Sequence, residues 1–125
     1  SEGSTFGGYP LAAVVGVYAI KTLVDLNLAN NAKIRGEQLM NHFNDIKDDF
    51  PDKIKETRGR GLLTAFEMHD EPHLDGHKVS VELLNRGVYA KETHHSTVRF
   101  APALTIEAWQ VDNIAEKLRN VIKEL

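Results

Sequence analysis

The sequence predicts an α+β fold: a small, largely antiparallel sheet of three strands with helices on one face, preceded by a long apolar helix. Three observations predict it. The hydrophobic period changes from helical to alternating after Ile54 and turns helical again after Asp75. Two short β-rich runs follow Gly87, separated only by Glu92 to Ser96. The C-terminal stretch then carries one amphipathic helical stripe. Helices grouped around runs of strands, rather than strict βα alternation, give a layered α+β domain.

The elements follow in order. From Pro10 to about Leu26 the chain is apolar nearly all round, with Leu11, Val14, Val15, Val17, Tyr18, Ile20, Leu23 and Val24. A helix of that kind needs cover on every side, so it is expected to pack against another domain or subunit. A second helix, Asn27 to Phe50, places Leu28, Ala32, Leu39, Phe43, Ile46 and Phe50 inward, and Lys33, Glu37, Asn41, Asp45 and Asp48 outward. Asn30 and Asn31 mark the expected kink between the two, and Pro51 stops the second.

Leu62 to Met68 alternates as a strand, and the paired glycines of Arg58-Gly-Arg-Gly61 before it suggest a bulge or tight bend. A third helix over Asp75–Arg86 turns Val79, Leu83 and Leu84 inward and ends at Gly87. Val88–Lys91 and Thr97–Ala101 are the two remaining strands. Thr105 is the expected N-cap of the last helix, which buries Trp109 or Val111 with Ile114, Leu118, Val121 and Leu125.

Composition narrows the function. A net charge of −3 and a pI near 6.0 give neither a nucleic-acid footprint nor a polybasic membrane patch. With no cysteine there is no disulfide, thiolate nucleophile or thiolate metal site, as a cytoplasmic protein would have it. The longest apolar run, Leu11 to Ile20, is about half of what crosses a bilayer. His69, His73 and His77 recur every four residues, but Pro72 makes their segment a loop, so no metal site is expected. His94 and His95 adjoin a hairpin tip and face solvent, or touch substrate if that hairpin lines a site entrance. Arg58 and Arg60 read as solvated arginines on a bend.

Two places carry chemistry. At the start, Gly3-Ser-Thr-Phe-Gly-Gly-Tyr-Pro10 sets two hydroxyls, flexible glycines and a helix N-terminus together, the parts of a phosphate site or of a plain N-cap. Near the end, Arg99 stands between Val98 and Phe100 in a strand. A guanidinium in such a setting takes a carboxylate partner, either within the protein or on a substrate.

These segments, with Arg58-Gly-Arg-Gly-Leu-Leu63, Gly87-Val-Tyr-Ala-Lys91 and Val98-Arg-Phe-Ala-Pro102, resemble the C-terminal part of class-III, pyridoxal-phosphate-dependent aminotransferases. Within that class the resemblance is to the ornithine type, and it runs from Gly3 to the end with the motifs in order. It implies the small C-terminal domain of a fold-type-I enzyme that works as a homodimer. Residues 1–28 would be the phosphate loop and connecting helix, and residues 29–125 the small domain. It also implies that Thr5 reaches across the dimer to the cofactor phosphate, that Ser4 lies beside cofactor and substrate, and that Arg99 faces the substrate carboxylate. Tyr9 departs from the family, which usually has asparagine there.

The implied parent moves the δ-amino group of ornithine to 2-oxoglutarate, so its partners are a small amino acid and a 2-oxo acid. In the family the cofactor-bearing lysine lies upstream of the Gly-Ser-Thr motif, so no catalytic residue is assigned in this chain. The chain is therefore expected to be a piece of a longer enzyme, inactive alone. Acetylornithine or 4-aminobutyrate transamination is the alternative within the class. A non-catalytic binding or dimerisation module is the alternative outside it.

Overall fold

One helix, α1 (Leu11–Asp49), replaces the two expected. The computed structural model describes residues 11–94 and 96–125, with side chains from Ile20 onward. Asn30 and Asn31 do not break α1. The Asn31 side-chain amide instead donates to the carbonyls of Leu104 (2.8 Å) and Ile106 (2.9 Å), tying the helix to the loop before the last helix. A side chain satisfied in this way no longer competes for its own backbone. The expected division between residues 28 and 29 falls inside this helix.

The expectation of a separate apolar helix is also corrected: that segment is the N-terminal part of α1, and its expected cover is not supplied by the described residues of this chain. In the described part of that segment Ile20, Leu23, Val24 and Leu26 are between 49% and 64% exposed. Further along, Leu39, Phe43 and Ile46 are buried as the period predicts, and Lys33, Glu37, Asn41, Asp45 and Asp48 face out.

The sheet has four strands, not three: β1 (Ile54–Arg60), β2 (Leu63–Met68), β3 (Lys91–His94) and β4 (Thr97–Phe100), in the order β1-β2-β4-β3 and antiparallel throughout. Strand β1 escapes pattern reading because only Ile54 of its seven residues is buried. An edge strand with one inward apolar residue has no hydrophobic alternation to detect. Arg58 and Arg60 thus lie within a strand rather than on a bend. The turn itself is Gly61-Leu62, with Gly61 at φ +56°, the first central position of a type II′ hairpin. In the second hairpin the strand begins at Lys91 instead of Val88, and Val88 and Ala90 are buried in the approach to it.

Helix α2 (Gly76–Asn85) is capped by Asp75, whose carboxylate accepts from the His77 N–H at 3.0 Å. Its C-terminus is a Schellman motif: Val88 N–H donates to Leu83 O and Gly87 N–H to Leu84 O, with Gly87 at φ +85°. Val79 and Leu83 point inward, whereas Leu84 is 59% exposed. Helix α3 (Ala108–Lys123) starts at Glu107, not Thr105. The Gln110 side chain accepts from the Glu107 N–H at 2.9 Å, so the turn is closed one residue pair later than a threonine cap would close it. Glu107 also holds the Trp109 indole N–H at 2.8 Å on the surface, while Val111 takes the core position.

All three helices cover the same face of the sheet. Phe43 of α1 meets Phe66 of β2 edge-on at 5.9 Å and Phe100 of β4 at 5.2 Å between ring centroids. Around this trio lie Leu39, Met68, Val79, Val98, Leu118 and Ile122, each almost fully buried. Helix and first hairpin meet without side chains between them. Gly36 is buried, and a Cβ there would stand 2.1 Å from the carbonyl oxygen of Gly61.

Candidate functional site

Side chains alternate across a strand, so burying Thr64, Phe66, Met68, Val98 and Phe100 on one face sends Leu63, Ala65, Glu67 and Arg99 to the other. No described helix covers this second face; Leu63 is 62% exposed on it. The register then sets charged residues side by side. Arg58 pairs with Ala65, Ala65 with Arg99, and Arg99 with Lys91, one row across all four strands. The next row begins with Arg60 opposite Leu63.

The cations of this face are not alike. Arg58 is held by Glu67 at 3.6 Å and Glu56 at 3.7 Å, and Lys55 also reaches Glu67 at 3.7 Å. Among the described residues Arg60, Arg99 and Lys91 have no carboxylate partner. Of the two partners open to Arg99 from the sequence, an internal carboxylate is therefore absent among the described residues. A concavity of about 610 Å³ lies beside it, with Arg58, Arg60 and Arg99 at its edge and Leu63, Ala65 and Ala101 lining it. Ala65 between two arginines leaves the space open. Unpaired guanidinium forks over a small apolar floor suit a carboxylate with a short carbon chain, which each fork can hold through two parallel hydrogen bonds.

Ser4 and Thr5, the expected phosphate ligands, lie outside the described residues, as does His95. Of the expected site residues, Arg99 alone lies among the described ones. Pyridoxal phosphate needs phosphate donors, an acid at the ring nitrogen and a lysine to anchor it; in the family that lysine lies upstream of the Gly-Ser-Thr motif. His94 is exposed on β3, opposite Thr97. His69 bonds the Pro51 carbonyl at 2.8 Å, and His73 and His77 are exposed. Among the described residues no three histidines or acids converge as metal ligands.

Two other features lie away from this face. A hollow of about 410 Å³ beside Tyr89, Pro102 and Trp109 reaches Lys117, whose ammonium is taken by the Arg86 carbonyl at 2.6 Å. Between α1 and α3, Asp112 accepts from Gln38 (2.8 Å) and meets His42 (2.7 Å). The hydrogen bond with His42, then that with Gln38, holds the Asp112 carboxyl below its ordinary value. Sequence reading missed the cationic row because β1 was not visible as a strand. The alternation of Glu56, Arg58 and Arg60 was the one signal for it.

The family model for class-III aminotransferases matches residues 1–122. The chain is 38% identical over 124 residues to the mitochondrial ornithine aminotransferase of Arabidopsis thaliana, covering 98% of this chain and 26% of that protein. It is 37% identical over 121 residues to the ornithine aminotransferase of Staphylococcus carnosus, covering 97% and 29%. Among solved structures it is similar to the acetylornithine aminotransferase of Elizabethkingia anophelis, with a TM-score of 0.75 and 30% identity over 97% of this chain and 30% of that one. It is also similar to the ornithine δ-aminotransferase of Plasmodium falciparum, with a TM-score of 0.70 and 30% identity over 95% and 30%. The chain thus spans under a third of the length of these relatives.

Proposed function

The chain belongs to the class-III aminotransferases, and we propose that it is the substrate-carboxylate part of an ornithine-type transaminase. Enzymes of this family depend on pyridoxal phosphate. In the proposed parent, the δ-amino group of ornithine passes to 2-oxoglutarate. Arg99 carries the reading, a guanidinium on an uncovered sheet face beside an open concavity and without a carboxylate partner among the described residues.

Bound cofactor supplies the electron sink for the reaction. This chain's own residues bind and orient. Arg99 holds the substrate carboxylate through its fork, fixing the reacting end of the molecule relative to the cofactor, and Leu63, Ala65 and Ala101 exclude water along the carbon chain. Thr5 is proposed to hold the cofactor phosphate across a homodimer, with Ser4 beside it. The exposed Ile20, Leu23 and Val24 of α1, at three- and four-residue steps, are the apolar stripe such a dimer or the large domain would cover. The chain alone, without the cofactor-bearing lysine of the family, is expected to turn over nothing.

The test uses the cofactor-loaded enzyme that contains this segment. Arg99→Gln removes a charge-assisted bidentate contact and is expected to lower kcat/KM for both ornithine and 2-oxoglutarate by about 100-fold, near the upper end for a hydrogen bond to a charged group. Unchanged kcat/KM for both substrates would sink the reading. Acetylornithine is the second amino donor to assay, favoured by the likeness to the Elizabethkingia anophelis enzyme; preference for it would move the assignment within the class.

A further inference from the structure

We infer that Lys91 is a second ligand for the substrate carboxylate, acting beside Arg99; this rests on the proposed role of the open sheet face. The two residues are direct cross-strand partners in the β3–β4 hairpin. Directly opposed residues of an antiparallel pair project to the same side, with Cβ atoms about 5 Å apart, and like charges so placed repel. Neither cation has an ion-pair partner among the described residues. Glu67, the acid nearest in register on that face, is already engaged by Lys55 and Arg58. Glu92 follows Lys91 in the strand and therefore projects to the opposite face.

In open water the repulsion is screened and slight. It grows when the face is covered and water leaves, and an anion between the two then turns the repulsion into a gain. A carboxylate seated in the Arg99 fork still has lone pairs free on its outer oxygen. The Lys91 ammonium, on a flexible four-carbon stem rooted one strand away, is long enough to reach them. No bond is made or broken; Lys91 binds and Arg99 orients. The ligand class is the carboxylate of an amino or 2-oxo acid.

An edge-strand lysine also discourages unwanted strand pairing, and the experiment separates the two roles. In the cofactor-loaded enzyme, Lys91→Met is expected to raise KM for 2-oxoglutarate about tenfold with kcat within about twofold, the size of one lost charge-assisted hydrogen bond. Lys91→Arg should restore KM to within about threefold, since it returns the charge. Without any carboxylate present, the thermal midpoint of Lys91→Met should equal or exceed that of the parent, because a like-charge pair is relieved. Unchanged KM in Lys91→Met, or a lowered midpoint that accounts for the loss of binding, overturns the inference. If Arg99→Gln raises KM in the same assay, only Lys91 is misassigned. If neither substitution changes KM, the reading of the whole face falls with it.

Discussion

Replacing Gly36 by alanine sets two effects of opposite sign against each other. Gly36 lies well inside α1, where exchanging glycine for alanine stabilises an ordinary helix by about 1 kcal/mol. Here the added Cβ would stand 2.1 Å from the Gly61 carbonyl oxygen and 2.4 Å from its carbonyl carbon. Contacts below 3.0 Å are essentially never seen for real Cβ atoms, so helix and hairpin must move apart by about 0.9 Å.

The atoms in the way are backbone, in a type II′ turn that has no rotamer to change. Overpacking of this kind costs about 3 kcal/mol, the upper end of the usual range. The net loss is about 2 kcal/mol, which for a domain of this size lowers Tm by about 8 °C. Thermal melting of the chain followed by circular dichroism measures it. The displaced hairpin carries Arg58 and Arg60, so the concavity beside Arg99 should change shape as well. A Tm equal to or above that of the parent would refute the close approach of helix and turn.

Two further outcomes follow from the core and from the α1–α3 contact. Phe66→Ala removes a fully buried ring packed on Phe43 and Phe100, and should cost about 4 kcal/mol in chemical denaturation with little change in m-value. Asp112→Asn should destabilise the protein at neutral pH, and the difference from the parent should shrink in acid. Folding lowers the Asp112 pKa, so its contribution is complete above the unfolded value near 3.8 and is lost as pH falls through the lower folded value. Melting both proteins across this range checks the sign; a gap that widens toward acid would contradict it.

The layered α+β class, the inward stripe of Leu39, Phe43 and Ile46, the Gly87 helix end and the family resemblance through its four motifs were all legible before any tertiary contact was known. Those features are local: they depend on periodicity, on one residue's backbone freedom, or on residues contiguous in the chain. Tertiary structure decided what depends on partners far away. It made α1 continuous because Asn31 found carbonyls at Leu104 and Ile106. It made Ile54–Arg60 a strand because β2 offered a ladder to a segment with almost no apolar pattern. It moved the last N-cap to Glu107, where Gln110 could close the turn.

The candidate site divides the same way. Arg99 was visible as a charge out of place between Val98 and Phe100. Its lack of an internal carboxylate among the described residues, the concavity next to it and the opposition of Lys91 were not visible. Strand register sets those, and register is fixed by which faces pack against the helices.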